Sequence, residues 1–288
     1  MFVESLRRPL LLRDLVSAPP LRALLGRVGQ LPAVPHVYAE LTRRLNDPRV
    51  TVGELGELVA QDSALAAQVL RIANSAYFGR DRAVSDLGDA AARLGTDLLR
   101  SLVLTAEVYG GFAIPPRFVP LAEEMQKHAS LVARLASSLE PRAPWAEDAF
   151  TAGLLHDIGK LILLSRAPEL LDDLVRDAET AGRELHVVEV ERLGAHHGTL
   201  GACVLGMWGL PSGILQAVLA HEELPAELPR ALDPVQAVAV ANRLAHDATD
   251  SEAPQVRRAP LSLALLTDSR WTWWREMAEQ LVAEGAEV

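Results

Sequence analysis

The chain has 288 residues, 49% apolar and 23% charged, which is enough to bury a large core in one domain or two lobes and excludes a disordered segment. A net charge of −10 and a pI near 5.3 exclude non-specific binding to nucleic acid or anionic lipid as the main mode, because either surface would repel the average field. The single cysteine, Cys203, excludes an intramolecular disulfide and any zinc-finger spacing, and points to a reducing cytoplasm.

The first residues, MFVESLRRPLLLRDLV, interrupt their apolar runs with Glu4, Arg7, Arg8, Arg13 and Asp14, so no signal peptide is expected. No uncharged apolar stretch approaches the roughly 18 residues a membrane span needs. Apolar positions recur at helical spacing almost throughout, without alternating β-branched runs bounded by turns, which predicts an all-α fold. Thr51 and Glu54 have capping-box spacing ahead of Leu55, Leu58 and Val59. Asp62 can cap the next helix, whose stripe is Leu65, Val69 and Ile72. A further pair is expected over 86–94 and 96–109, joined at Gly95.

Pro115-Pro116 cannot lie inside a helix and marks a lobe boundary. Beyond it the spacing predicts helices near 120–139, 145–156, 168–181, 186–194, 198–208, 211–221 and 233–247, with Pro225, Pro229 and Pro234 stiffening the loop after His221. The expected organisation is a connector over 1–20, an N-terminal helical lobe over 21–112, a second lobe over 117–248 and a C-terminal helical extension over 249–288. In that extension SRWTWWREMAEQLVAE places Trp271, Trp273, Trp274 and Met277 on an amphipathic helix, for core packing by default and otherwise for a homodimer or partner surface.

The sharpest chemical signal is LLHDIGK, 154–160, where an apolar helix delivers His156 and Asp157 side by side before Gly159 ends it. Neighbouring imidazole and carboxylate at a helix end can ligate one metal ion. A buried histidine beside a helix-end aspartate is the plain alternative. His36, His186, His196 and His246 have no partner spacing that calls for more than ordinary surface or core positions.

LLHDIGK resembles the HD superfamily, and the resemblance implies metal ligands at the upstream His128, at His156 and Asp157, and at a downstream Asp. HHGTLGACVLGMWGLP is similar to the family segment with His197 and Gly201, and His221 falls where related cyclic-dinucleotide phosphodiesterases carry a His-His pair. Two positions depart from the pattern. The second His of that pair is Glu222, and the downstream Asp is Asn242, a neutral amide where a cation would want a carboxylate. The Gly-Tyr-Pro signature is also absent after His221, which disfavours cyclic-di-GMP as a substrate.

Residues 31–79, with a Leu-Pro entry, an Asn-Asp-Pro turn and the ANSAYFG run, resemble the start of HDOD domains, and with the second lobe the resemblance covers about residues 20–248. ANSAYFG itself reads as a packed junction filled by Tyr77 and Phe78. Residues before 20 resemble the connector by which some members follow a receiver domain. The resemblance implies a cytoplasmic bacterial signal-transduction module that acts without catalysis, through signalling-protein partners or a nucleotide second messenger. A divalent metal (Mn, Mg or Fe) would sit at His128, His156, Asp157, His197 and His221, with Lys160, Glu222 and Asn242 as ligand-binding residues. A divergent metal-dependent phosphohydrolase is the alternative.

Overall fold

The protein is described as a computed structural model covering residues 19–29, 32–45, 47, 49–74, 86–249 and 260–286. These residues are all-helical, with no strand among them. They fall into two compact units, the larger drawn from Met1–Pro32 and Ile114–Gln280, the smaller from Ala33–Ala113 and Leu281–Val288.

The smaller unit contains α2 (His36–Leu45), α3 (Val52–Ala60), α4 (Ser63–Ala73), α5 (Leu87–Leu94) and α6 (Thr96–Gly111). The capping box is present, with Thr51 Oγ accepting from the Glu54 N–H and the Glu54 carboxylate accepting from the Thr51 N–H. Asp62 accepts from the N–H groups of Ala64 and Leu65, and Leu65, Val69 and Ile72 are buried. The first turn of α2 is closed from a distance: the N–H groups of Val37 and Tyr38 donate to Glu107 of α6 at 2.9 and 2.7 Å. A carboxylate there satisfies two orphan donors and meets the positive end of the helix dipole. The ANSAYFG junction from Ser75 onward, with Tyr77 and Phe78, and residues 1–18 of the expected 1–20 connector lie outside the described residues, while Pro19 and Pro20 open α1 (Pro19–Val28).

In the larger unit α1 (Pro19–Val28) packs on three helices described below. A short 3₁₀ turn at Pro116–Phe118 leads into α7 (Val119–Leu139), then α8 (Ala146–Leu155), α9 (Ile158–Arg166), α10 (Pro168–Ala181), α11 (Leu185–Leu193), α12 (His197–Met207), α13 (Ser212–Leu219), α14 (Pro234–Thr249), α15 (Leu263–Thr267) and α16 (Ser269–Ala286), of which the part from Leu281 on is counted with the smaller unit. α1 lies against α9, α11 and α12. α7 packs against α8 and α14 over Leu131, Val132 and Leu135, all fully buried.

The proline-rich segment after α13 forms no helix and is tied down over its C-terminal part. Glu140 accepts from the Leu232 N–H at 2.8 Å, and Arg270 donates to the Pro229 carbonyl at 2.8 Å. Of the C-terminal tryptophans, Trp271 and Trp274 are buried, whereas Trp273 is 55% exposed and so does not serve core packing. No helix among the described residues is long and apolar enough to cross a membrane.

Candidate metal centre

The centre lies in the larger unit, where several helix ends meet. α8 ends at Leu155, and the chain turns through His156 and Asp157 before α9 starts at Ile158. The expectation that Gly159 ends a helix is therefore corrected: Gly159 lies in the first turn of α9, and its missing side chain serves close contact. A Cβ at Gly159 would lie 2.6 Å from the carbonyl carbon of His197 and overlap the oxygen. Backbone packs on backbone there, which fixes Asp157 against the start of α12. At Gly153 a Cβ would come within 2.5 Å of Ala133 Cα, so α8 is pressed equally closely on α7, which carries His128.

Hydrogen bonding aims the imidazoles. His156 Nδ1 donates to the Gly153 carbonyl and His221 Nδ1 to the Val218 carbonyl, both at 2.7 Å; since a carbonyl only accepts, Nε2 is the atom each ring turns to the site, and it is bare whenever the ring is neutral. His197 is held by a carboxylate. Glu189 Oε2 accepts from its N–H at 3.0 Å and from its Nδ1 at 2.6 Å. Three Nε2 atoms thereby converge on Asp157, that of His156 at 3.5 Å and those of His197 and His221 at 3.4 Å each. The ligand atoms of His128, His156 and Asp157 all lie within 4.8 Å of one another, as do those of Asp157, His197 and His221, so Asp157 is common to two groups. Glu222 Oε1 stands 3.5 Å from both His197 and His221, and Lys160 Nζ lies 3.0 Å from Asp157 and 3.8 Å from Glu222.

Asn242 is buried beside His128, its Oδ1 2.9 Å from His128 Nε2 and its Nδ2 3.5 Å from the His221 carbonyl. Asp247, the nearest downstream carboxylate, pairs instead with Arg243 at 2.8 Å.

Burial governs the charges. It holds His156 neutral, with a pKa of about 3, and lowers His128 as well. Burial also opposes charging of His221, but the carboxylates of Asp157 and Glu222, 3.4 and 3.5 Å from its Nε2, outweigh it and raise the ring to about 9. His197 is raised too, since Glu189 prevails over burial. Asp157 and Glu222 are pushed up by burial, yet Lys160 and the surrounding histidines hold both well below the usual carboxylate range. Without a metal, two carboxylates thus face Lys160 and a protonated His221.

Two features show that these residues fit a cation. The Nε2 atoms of His197 and His221 are 3.1 Å apart, where two bare lone pairs repel unless a proton or a metal lies between them. His156 Nε2 and Asp157 Oδ1, one in each half of the cluster, are buried without a hydrogen-bond partner. Imidazole nitrogens with a shared carboxylate suit Mn or Fe better than Mg, which prefers oxygen. His128, His156 and Asp157 would hold one ion, and Asp157, His197 and His221 a second.

Sequence reasoning missed Glu189, fully buried behind His197. The available signal was a charged residue between Leu185 and Leu193 on the inward stripe of α11. It also passed over His246, whose ring lies 4.2 Å from that of His128, and His196, whose Nδ1 accepts from the Gly198 N–H at the start of α12.

Fold and site together define an all-helical protein with an HD-type histidine–aspartate centre. The HDOD domain family model matches residues 31–224, and the chain belongs to that family. A crystal structure of an HDOD domain protein of unknown function from Geobacter sulfurreducens is similar over 93% of both chains, with 24% identity and a TM-score of 0.67. A provisionally named phosphohydrolase from Shewanella amazonensis SB2B is 26% identical over 92% of both chains, with a TM-score of 0.64. An uncharacterized protein of Treponema pallidum (strain Nichols) is 27% identical over 83% of this chain; the chain spans about half of that relative, 47% of its length.

Proposed function

We propose that this chain is a non-enzymatic regulatory module of bacterial signal transduction, in which an HD-type centre holds a divalent cation and binds a small anionic ligand without turning it over, and protein partners take the output. The observation that carries this reading is Asn242, whose amide oxygen stands 2.9 Å from His128 Nε2, at the position where the resemblance implies the fourth ligand, a second carboxylate. An amide adds no charge, so an ion beside His128 and His156 rests on Asp157 alone for neutralisation. When bound, the metal would supply positive charge to hold an anion. Lys160 would add a second positive contact, while Asn242 and His246 shape the wall beside it.

The second reading, a divergent phosphohydrolase, is favoured by Glu222, a carboxylate 3.5 Å from both His197 and His221 that can replace the lost charge. The name of the Shewanella relative agrees with it. The deciding experiment incubates Mn²⁺-loaded protein with nucleoside phosphates and cyclic dinucleotides. The regulatory reading expects no release of phosphate or linear dinucleotide. Release that Asp157→Ala abolishes would replace it with the hydrolase. Turnover gained only in Asn242→Asp would identify an enzyme's pocket kept for binding.

A further inference from the structure

A cavity of about 550 Å³ opens over the centre within the larger unit. Its floor is polar, formed by Lys160, His221, Glu222 and Asn242. Part of the wall is aliphatic: Leu185 from α11, Leu224 from the loop after α13, Leu261 from the segment leading into α15 and Leu265 within it. Among the described residues no Phe, Tyr or Trp lines it, and its aromatic rings are histidines. We propose that this cavity takes an aliphatic monoanion, with one phosphate or carboxylate head on the polar floor and a saturated chain against the leucine walls. The proposal rests on the reading of the centre as a cation-holding site that binds without turnover, and it names the class of ligand.

Charge limits the head to one anionic group. Arg243, the only arginine among the described lining residues, is engaged by Asp247 at 2.8 Å, and Lys160 is shared between Asp157 and Glu222. Glu184 and Glu223 add negative charge to the lining. A polyphosphate tail would meet more carboxylates than free cations, whereas one phosphate or carboxylate can be matched by Lys160 and a metal. The walls argue in the same direction. A purine or pyrimidine gains most from a flat aromatic or guanidinium surface, for which the lining has only histidine rings and the Asp247-paired Arg243 beside its leucines and prolines. The leucines and prolines do match methylene groups. A volume of this size takes a drug-sized ligand, which leaves ample room for a chain of about eight carbons with its head group.

Isothermal titration of the full Mn²⁺-loaded chain with inorganic phosphate and then ethyl, butyl, hexyl, octyl and hexadecyl phosphate, with AMP alongside, tests this. The proposal expects affinity to rise by up to about fourfold per added methylene, with hexyl phosphate binding more tightly than AMP. Leu261→Asn and Leu224→Asn alter half-buried wall positions without adding charge. Each should flatten the chain-length dependence while leaving metal content and inorganic-phosphate binding unchanged. A plateau near octyl would assign the ligand to soluble short-chain acids, and growth out to hexadecyl would assign it to single-chain lipids; both support the aliphatic class. Affinity independent of chain length, or AMP binding better than hexyl phosphate, overturns it. Phosphate release from the alkyl esters with the chain-length dependence intact would support this ligand class while overturning the non-enzymatic reading.

Discussion

Replacing Gly159 by alanine should damage the protein although helix propensity favours the change. Both Gly159 and Gly26 lie within helices, α9 and α1, where alanine is intrinsically better by up to about 1 kcal/mol. At Gly26 a new Cβ meets nothing within 4 Å, so Gly26→Ala should be neutral or slightly stabilising. At Gly159 the new Cβ would lie 2.6 Å from the His197 carbonyl carbon and 3.0 Å from its Cα. Carbon atoms settle at about 3.5–4.0 Å, so α9 and α12 must part by about 1 Å. The obstacle is backbone rather than a pliable side-chain tip, which puts the cost at the upper end of overpacking, about 2–3 kcal/mol. The same shift stretches the 3.4 Å approach of His197 to Asp157, so Mn²⁺ affinity should fall by roughly ten- to a hundredfold. Denaturant unfolding and a metal titration on the two variants give both numbers. Gly159→Ala behaving like Gly26→Ala in both assays would refute the backbone-contact account of the site.

Glu189→Ala should cost about 3–5 kcal/mol, because it strips the acceptor from two donors of buried His197; chemical denaturation checks this, and a loss below about 0.5 kcal/mol would contradict it. Metal binding should release a proton, since His221 is protonated up to about pH 9 in the ion-free cluster and must lose that proton to ligate. Mn²⁺ affinity should therefore rise close to tenfold per pH unit from pH 7 toward about 9 and level off above it, while His156, already neutral, contributes nothing; an affinity flat across that range would exclude His221 as a ligand. Asn242→Asp should tighten Mn²⁺ binding by about tenfold or more through its added charge, read by the same titration, and an unchanged affinity would mean that no ion sits beside His128.

The fold was legible because helical periodicity and local punctuation agree. Thr51, Asp62 and Gly95 act as the sequence suggested, and α10 runs over the expected residues because Pro168 starts it and Gly182 stops it in the left-handed region. Where a residue's role is tertiary, local reasoning failed. Gly159 was read as punctuation, whereas its function is the approach of a backbone 38 positions on in sequence. Glu189 was invisible because its partner, His197, lies across a helix boundary, and Trp273 was indistinguishable by pattern from its buried neighbours. The convergence of His128, His156, His197 and His221 on Asp157 came from the motif resemblance, since spacing cannot say which distant helices pack together. His246 and His196 lacked such a motif and were passed over.

Metal content of protein purified without chelator, then dialysed against Mn²⁺, tests the central claim most directly. The account predicts at least one tightly held ion per chain, lost in Asp157→Ala, the residue common to both groups of ligand atoms. Protein that emerges metal-free and takes up no Mn²⁺ on dialysis would contradict it, and would make the charge-balanced set of Lys160, His221, Asp157 and Glu222 the finished state of the site.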